Sequence, residues 1–183
     1  MRVITGTARG VPLKAPEGLA TRPTADKVKQ AVFNMIQYEV FGEVLDLFAG
    51  SGQLGIEALS RGAAFCDFVD ARADAVSVVR ENLKKTRLDA QAQVWHCDYK
   101  TFLARTRRKY RLIFLDPPYA EKALENALKH ISEIDILAEG GIIVTERPFG
   151  KALDEHFSGL VRLEDHCYGK TCVSLFRREG ERL

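Results

Sequence analysis

The sequence has no long hydrophobic run, and its first residues do not have the pattern of a secretory leader. None of its 183 residues belongs to an uninterrupted apolar stretch of the roughly 18 residues that a membrane-spanning helix needs. The first residues, 1–6, lack the apolar core of a signal peptide. We therefore expect a cytoplasmic protein that has no membrane partner.

Cysteines are few and widely spaced: Cys66, Cys97, Cys167 and Cys172 form no Cys-x-x-Cys pair. Cys66 and Cys97 lie in apolar, strand-like segments, where a reduced cysteine behaves as a small hydrophobic residue. A disulfide framework is not expected at this length and spacing. His166, Cys167 and Cys172 indicate a metal site only weakly, because they lie on one short hairpin with no fourth ligand. We predict no metal.

Charge is nearly balanced overall but unevenly distributed. Hydrophobic residues make up 46% of the chain and charged residues 28%, with a net charge of +2. This balance is typical of a globular domain with a sizeable core. Residues 1–30 contain six basic and two acidic residues, and residues 100–111 contain six basic residues and no acidic residue. Such clusters suit a polyanion. For the second cluster a solvated helix face fits equally well, whereas the first favours phosphate contact.

Apolar periodicity predicts strands that alternate with helices from residue 44 onward. The predicted strands are 44–48, 65–69, 93–97, 112–115, 142–145, 160–164 and 172–177. The predicted helices are 53–61, one carrying Val76, Val79 and Leu83, 99–108, one carrying Leu124, Leu128 and Ile131, and 151–157. The last two strands flank a turn at 168–170, which predicts an antiparallel hairpin. The alternation is typical of a parallel sheet with helices on both faces.

The first 22 residues interrupt short apolar stretches with glycine and proline. They predict an irregular, hairpin-like arm outside the main core. Thr24 then follows as a candidate helix cap, and an apolar stripe at helical spacing ends near Gly42. The predicted organisation is an arm over residues 1–22 and one α/β domain over residues 23–183.

A glycine-rich loop joins the first sheet strand to its helix in the segment 46–55, DLFAGSGQLG. Gly50, Gly52 and Gly55 have the spacing G-x-G-x-x-G, which permits a tight turn and the close approach of a ligand to the backbone. Asp70 ends the next strand, where a carboxylate can accept hydrogen bonds from both ribose hydroxyls. Any nucleoside cofactor fits this pattern, including NAD.

Two further acidic residues favour S-adenosylmethionine over a dinucleotide. Asp46 would repel a pyrophosphate but attract an ammonium and a sulfonium group. Asp98 follows the third strand, where it can accept from an adenine amine. With Asp70 they would lie along the ligand-binding edge of an open sheet, although each alone could be a loop acid or a helix cap. The predicted cofactor-binding residues are Asp46, Phe48, Gly50, Ser51, Gly52, Asp70, Asp98 and Tyr99.

The segment Asp116-Pro117-Pro118-Tyr119 directly follows the fourth strand. The two prolines remove two N–H donors, so the Asp116 carboxylate and the Pro117 carbonyl remain to accept the two hydrogens of an amino group. These bonds can direct the nitrogen lone pair at a methyl group, while Tyr119 stacks on an unpaired or flipped-out base. We predict Asp116, Pro117 and Tyr119 as the catalytic residues. A proline-rich turn is the alternative.

These motifs resemble those of class I methyltransferases that act on amino groups, with the glycine loop similar to their motif I and Asp116–Tyr119 similar to their motif IV. Further segments resemble one family more closely, the bacterial 16S rRNA guanine-N2-methyltransferases of the RsmD type. These segments are 2–10 (RVITGTARG), 21–26 (TRPTAD), 55–63 (GIEALSRGA) and 168–171 (YGKT). The resemblance covers roughly residues 1–178.

The resemblance implies a Rossmann-like class I methyltransferase fold: a seven-stranded, mostly parallel sheet with an antiparallel last strand, plus an N-terminal hairpin arm. It implies that S-adenosylmethionine methylates N2 of one guanine of 16S rRNA, within the small ribosomal subunit or its assembly intermediate. We expect a monomer. The predicted RNA-binding residues are Arg9, Lys14, Arg22, Thr24 and Lys170.

Other functions remain open at this stage. A DNA adenine-N6 methyltransferase would use the same Asp-Pro-Pro-Tyr geometry but usually carries an added target-recognition region, for which this chain has no spare residues. A tRNA guanine-N2 methyltransferase would need an RNA-binding module. An NAD-dependent oxidoreductase is disfavoured by Asp46 and by the Asp-Pro-Pro-Tyr motif. A non-catalytic rRNA-binding assembly factor would not need the intact motifs.

Overall fold

A computed structural model describes residues 1–17, 23–118 and 122–181. Its strands are β1 Glu43–Asp46, β2 Phe65–Asp70, β3 Ala92–His96, β4 Tyr110–Leu115, β5 Leu137–Pro148, β6 His156–Phe157, β7 Leu160–Tyr168 and β8 Thr171–Arg178. Its helices are α1 Pro23–Met35, α2 Gln53–Ser60, α3 Ala73–Thr86, α4 Tyr99–Arg105 and α5 Ala123–Ile134. No helix in these ranges is long and apolar enough to cross a lipid bilayer.

The strands form one sheet in the order β3-β2-β1-β4-β5-β8-β7-β6. Strands β1 to β5 are parallel, and β8 pairs antiparallel with both β5 and β7. The Rossmann-like sheet with an antiparallel last strand is therefore confirmed. The strand count differs from the predicted seven, because the described residues contain eight strands.

The additional strand is β6, a two-residue edge strand that pairs with β7. The helix predicted over 151–157 is wrong. Leu153 and Phe157 are four residues apart, which imitates the spacing of a helical stripe, and both side chains do pack into the core. However, Ser158 and Gly159 have φ values of 39° and 90°. This left-handed turn folds the chain back into β7 and leaves residues 156–157 extended.

The apolar core occupies both faces of the sheet. Successive residues of β4 point to opposite faces: Leu112 and Phe114 pack with α1, α2 and α3, whereas Ile113 and Leu115 pack with α4 and α5. The Phe33 ring of α1 lies 5.7 Å from the Phe114 ring. A strand buried on both faces reads as a continuous apolar run, which explains why β4 was recognisable in the sequence.

The N-terminal residues form the predicted hairpin, but it is not outside the core. The Val3 amide donates to the Val11 carbonyl at 3.0 Å. Val3, Ala8 and Leu13 are buried in the same cluster as α1, α2 and α3. The expectation of a detached arm is therefore wrong for these residues, because the hairpin docks on polar groups of α2 that the sequence pattern did not assign to it.

Glu57 of α2 is the centre of that docking. Its fully buried carboxylate accepts hydrogen bonds from the amides of Ile4 at 2.7 Å and Thr5 at 3.0 Å, and from Arg61 Nε at 2.8 Å. The Nζ atom of buried Lys29 lies 3.6 Å from Glu57 and donates to the Arg2 carbonyl at 2.6 Å. Desolvation lowers the pKa of Lys29, although the Glu57 charge opposes this. The ion pair thus fastens the hairpin to α1 and α2.

Cys167 and Cys172 form a disulfide, contrary to the prediction from cysteine spacing. The two residues are directly opposite each other in the β7–β8 hairpin, with Cα atoms 4.0 Å apart. Their separation in the sequence did not reveal this register. Since both sulfur atoms are bonded to each other, they are not thiolate ligands, which removes the weak metal candidate at this hairpin. Cys66 is free and buried, and Cys97 is free.

We expect Glu57→Ala to lower the free energy of unfolding by about 3–5 kcal/mol, because Lys29 would remain buried without its counter-charge. Urea denaturation measures this change. The matched control is Glu81→Ala, which removes the exposed partner of Lys14 and should change stability by about 0–1 kcal/mol. Equal stability of the two variants would refute the anchoring role of Glu57.

Candidate active site

Acidic residues meet where the parallel strands end. Asp46 ends β1, Asp70 ends β2, and Asp98 and Asp116 follow β3 and β4. The register brings Asp46 opposite Phe68 and Phe114, and Asp70 opposite His96, so the strands end at the same edge. In an open α/β sheet this carboxyl edge is where ligands bind.

The glycine loop crosses this edge between β1 and α2. Gly50 and Gly52 have φ values of 55° and 76°, in the left-handed region that favours glycine. A side chain at Gly55 would meet the Phe68 ring at 2.4 Å, so glycine there permits α2 to pack closely on β2. The glycines therefore serve the tight turn and the helix–sheet contact that the motif predicts.

Two of the carboxylates hold the loop from either side. Asp46 accepts a hydrogen bond from the Gly55 amide at 3.0 Å. Asp70 accepts from the Gly50 amide at 2.8 Å and from the Arg72 amide at 2.9 Å. Burial raises the pKa of Asp46 to about 8, and the charges of Asp116 and Asp70 add to this effect, whereas the Gly55 hydrogen bond opposes it.

Asp98 is the N-cap of α4. Its carboxylate accepts from the Thr101 amide at 3.0 Å and from the Thr101 hydroxyl at 2.6 Å. These bonds lower the pKa of Asp98, so it remains ionised. Beside it, the Phe48 and Tyr99 rings lie 5.2 Å apart and form an aromatic surface. The helix-cap role considered for Asp98 is thus present at a position where adenine could also bind.

Ser51 is buried and directed away from this aromatic surface. Its hydroxyl contacts the Met1 sulfur at 3.4 Å, and its carbonyl accepts from Asn82 Nδ2 at 2.9 Å. The Ser51 side chain therefore links the loop to the N-terminal hairpin.

Asp116 stands at the end of β4 without a partner. Its half-buried carboxylate makes no hydrogen bond or ion pair with any residue in the described ranges, and burial raises its pKa to about 6. Pro117 and Pro118 line a small cavity of about 50 Å³, together with residues 146–148 and 151–153 and three residues at the start of α5. Tyr119 lies outside the described residues.

One acidic residue at this edge was missed in the sequence. Glu146 lies in β5, one residue beyond Thr145, which pairs with Leu115 of β4. Burial raises the pKa of Glu146 above its ordinary value, and the charges of Asp116 and Asp46 raise it further. The signal was the one that identified Asp46 and Asp70: an acidic residue at the end of an apolar strand.

The predicted RNA-binding residues occupy separate surfaces. Exposed Arg9 lines a groove between the hairpin and α1 together with Arg2 and Lys27. Lys14 pairs with Glu81 at 2.8 Å, and both side chains are exposed. Lys170 is exposed at the β7–β8 turn, where its carbonyl accepts from the Phe149 amide. Arg22 lies outside the described residues, as does the side chain of Thr24, whose backbone begins α1.

The second basic cluster, 100–111, is largely neutralised within the fold. Arg108 pairs with Glu43 at 2.5 Å, and Lys109 pairs with Asp135 at 2.6 Å. Arg111 pairs with Glu39. Three of its six cations therefore have carboxylate partners. For these three, a role within the fold is favoured over contact with phosphate.

The raised pKa of Asp46 predicts a pH dependence of stability. The neutral form is favoured in the folded state, so this contribution is complete below about pH 4 and is lost as the pH rises through about 8. Asp46→Asn keeps an acceptor for the Gly55 amide but does not ionise. Between pH 5 and 8, ionisation of Asp46 should lower the free energy of unfolding of the wild type by up to about 1.4 kcal/mol per pH unit. Asp46→Asn lacks this contribution, so we expect its free energy of unfolding to fall by that much less.

Urea denaturation at a series of pH values measures the difference. Asp89→Asn, at an exposed position, is the control and should follow the wild type. Parallel curves for the wild type and Asp46→Asn would contradict the raised pKa.

The chain is similar to known proteins over nearly its whole length. Residues 1–177 match the family model described as Conserved hypothetical protein 95. The chain is 46% identical to "Putative rRNA methyltransferase YlbH" of Bacillus subtilis, over 98% of this chain and 100% of that protein. It is 29% identical to the ribosomal RNA small subunit methyltransferase D of Escherichia coli, over 99% and 91%.

The fold has a similarly close counterpart among solved structures. "Putative methyltransferase yhhF" of Escherichia coli superposes with a TM-score of 0.87 at 30% identity, over 98% of both chains. The class I methyltransferase fold is therefore confirmed. With its glycine loop, its acidic sheet edge and a family match over nearly its whole length, the chain belongs to the Conserved hypothetical protein 95 family of bacterial, RsmD-type methyltransferases.

Proposed function

We propose that the protein transfers a methyl group from S-adenosylmethionine to the exocyclic N2 of a specific guanine in 16S rRNA. The observation that carries this proposal is the unpartnered Asp116 carboxylate at the end of β4. It is followed by two prolines and lies on the same sheet edge as the glycine loop. An acceptor held there is suited to an amino group presented next to a cofactor.

The charges at the edge fit S-adenosylmethionine better than NAD. The charges of Asp116 and Asp70 raise the pKa of buried Asp46, and no Lys or Arg of the described ranges forms an ion pair with these three carboxylates. A cationic ligand would relieve this repulsion, whereas a pyrophosphate would increase it. S-adenosylmethionine carries an ammonium and a sulfonium group, and when bound it supplies an electrophilic methyl group.

The residues that would hold the cofactor follow from their positions. Asp46 would attract the ammonium group, and the backbone turn at Gly50, Ser51 and Gly52 permits close approach. Asp70 would bind the ribose hydroxyls with the lone pairs that its two backbone hydrogen bonds leave free. The adenine would lie on the Phe48–Tyr99 surface beside Asp98.

Asp116 and Pro117 would orient the amine. Their carboxylate and carbonyl oxygens accept its two hydrogens, and neither proline offers a competing N–H donor. As the nitrogen–carbon bond forms, the nitrogen must lose a proton. A carboxyl group with a pKa of about 6 is suited to accept it near neutral pH. We keep Tyr119 as the proposed stacking residue for the base.

The substrate proposal rests on the relatives and on charge. The Escherichia coli relative is named a ribosomal RNA small subunit methyltransferase, and Arg9, Lys14 and Lys170 place exposed cations on two surfaces of the domain. We propose that a cytoplasmic monomer acts on the small subunit or its assembly intermediate. In this proposal residues 1–22 form an RNA-binding arm of the catalytic domain 23–183.

The decisive assay offers labelled S-adenosylmethionine with four substrates: unmodified small subunits, naked 16S rRNA, tRNA and duplex DNA. We expect N2-methylguanosine from small subunits, identified by mass spectrometry of the nucleosides. Asp116→Ala should reduce this transfer by at least about 100-fold, because the amine loses its charged acceptor. Asp89→Ala, at an exposed position, is the control and should retain full activity.

Each other outcome overturns a part of the proposal. N6-methyladenine from DNA, or N2-methylguanosine from tRNA alone, would replace the substrate but keep the chemistry. Cofactor binding without transfer to any of the four would favour a binding role in ribosome assembly.

Phosphate contact by the arm predicts a salt-dependent defect. The triple variant Arg9→Ala/Lys14→Ala/Arg22→Ala should bind the small subunit more weakly than the wild type, and the difference should be largest at low salt. The slope of log affinity against log salt should become shallower by about two to three, because each lost contact removes roughly 0.7–0.9. Lys84→Ala/Lys85→Ala, exposed cations at the end of α3, is the control. Wild-type affinity at low salt together with an unchanged slope would count against an RNA-binding arm.

A further inference from the structure

Glu146 and Asp116 are neighbours on one face of the sheet edge. In the parallel pair β4–β5, Phe114 is opposite Val144 and Leu115 is opposite Thr145, so the next residue of each chain continues the register. Because side chains alternate along a strand, Asp116 and Glu146 point to the same face as Phe114 and Val144. Asp46 is opposite Phe114 in β1 and shares that face.

The Glu146 carboxylate has no partner within residues 1–17, 23–118 and 122–181. It is half-buried, and among the described residues it makes no hydrogen bond and no ion pair. By contrast, the next residue, Arg147, is paired with Asp165 at 2.8 Å. A desolvated carboxylate beside a second one is unfavourable unless a donor is supplied. The missing donor is therefore expected from a ligand.

Glu146 also lines the small cavity beside the motif, together with Pro117 and Pro118, the two residues that follow Asp116. If Asp116 accepts a hydrogen bond from an amino group, the ring atoms next to that amino group lie near Glu146. Two adjacent acceptors at this edge suit a ligand that presents adjacent donors.

Guanine has such an arrangement and adenine does not. The N2 amine of guanine lies beside the N1–H group, so both present donors, whereas N1 of adenine presents a lone pair beside its amine. Resting on the proposed function, we propose that Glu146 determines base specificity: its carboxylate accepts the N1–H of the target guanine while Asp116 accepts from N2. In its ionised form Glu146 has no hydrogen to donate, so a base with a lone pair at N1 would face the carboxylate oxygens and be rejected.

The test replaces the target guanine by 2,6-diaminopurine in reconstituted small subunits. This base keeps the N2 amine that receives the methyl group but presents a lone pair at N1. The wild type should methylate diaminopurine on the order of 10²-fold less efficiently, in kcat/KM, than guanine. Glu146→Gln should narrow this ratio by at least about 10-fold, because a glutamine amide can donate to N1.

The controls separate base selection from folding and from cofactor binding. Glu133→Gln makes the same charge change at an exposed position on α5 and should keep the wild-type ratio. Calorimetry with S-adenosylmethionine should give wild-type affinity for Glu146→Gln. The proposal would be overturned if Glu146→Gln bound S-adenosylmethionine more weakly but kept the wild-type ratio of kcat/KM for guanine to that for diaminopurine. Glu146 would then be assigned to cofactor binding.

The wild type alone also tests the proposal, whether or not the variant folds. Equal methylation of guanine and diaminopurine by the wild type would overturn it. Failure of the proposed function is distinguishable, because the wild type would then leave guanine in small subunits unmethylated. In that case no ratio exists to be compared.

Discussion

The repulsion among buried carboxyl groups at the end of the parallel strands is the constraint on which the site depends. Asp46, Asp116 and Glu146 share one face of the sheet edge, and the described part of the chain provides no cation to neutralise them. Desolvation raises the pKa of all three, and the charge of Asp116 raises the pKa of Asp46 and of Glu146 further. A folded protein tolerates such a group of carboxyls where a bound ligand supplies the counter-charge or the hydrogen-bond donors. This is the physical basis of the proposed preference for a cationic cofactor and for a substrate that presents hydrogen-bond donors.

The remainder of the structure holds that edge in place. The left-handed glycines let the loop turn beneath a ligand, while Asp46 and Asp70 use backbone hydrogen bonds to fix it. Behind the loop, Glu57 and Lys29 bind the N-terminal hairpin to α2 and α1. The hairpin is thus part of the core and also contains Arg9. In the proposed function, the position of Arg9 relative to the rest of the domain is therefore fixed.

The predictions that were confirmed rest on local chemistry, and those that were wrong depend on distant residues. Strand β4 and the helix after the glycine loop were recognisable because their apolar residues report their own burial. The helix predicted at 151–157 was wrong because the spacing of Leu153 and Phe157 suits two structures, and the turn at Ser158 decides between them. The Cys167–Cys172 disulfide was missed because the hairpin register alone makes these residues opposite.

The sequence by itself determined the fold class, the glycine loop and the Asp-Pro-Pro motif, because each depends on residues that are adjacent or periodic in the chain. Only the tertiary structure decided which carboxylates share a face. Parallel pairing brings Glu146 beside Asp116, although 29 residues lie between them in the chain. It also decided that Asp116 and Glu146 have no partner among the described residues, while Asp98 caps a helix. Packing between distant segments decides whether a carboxylate has a hydrogen-bond or ion-pair partner and how far it is removed from water. These two properties distinguish a candidate site from acidic residues that are merely close in the sequence.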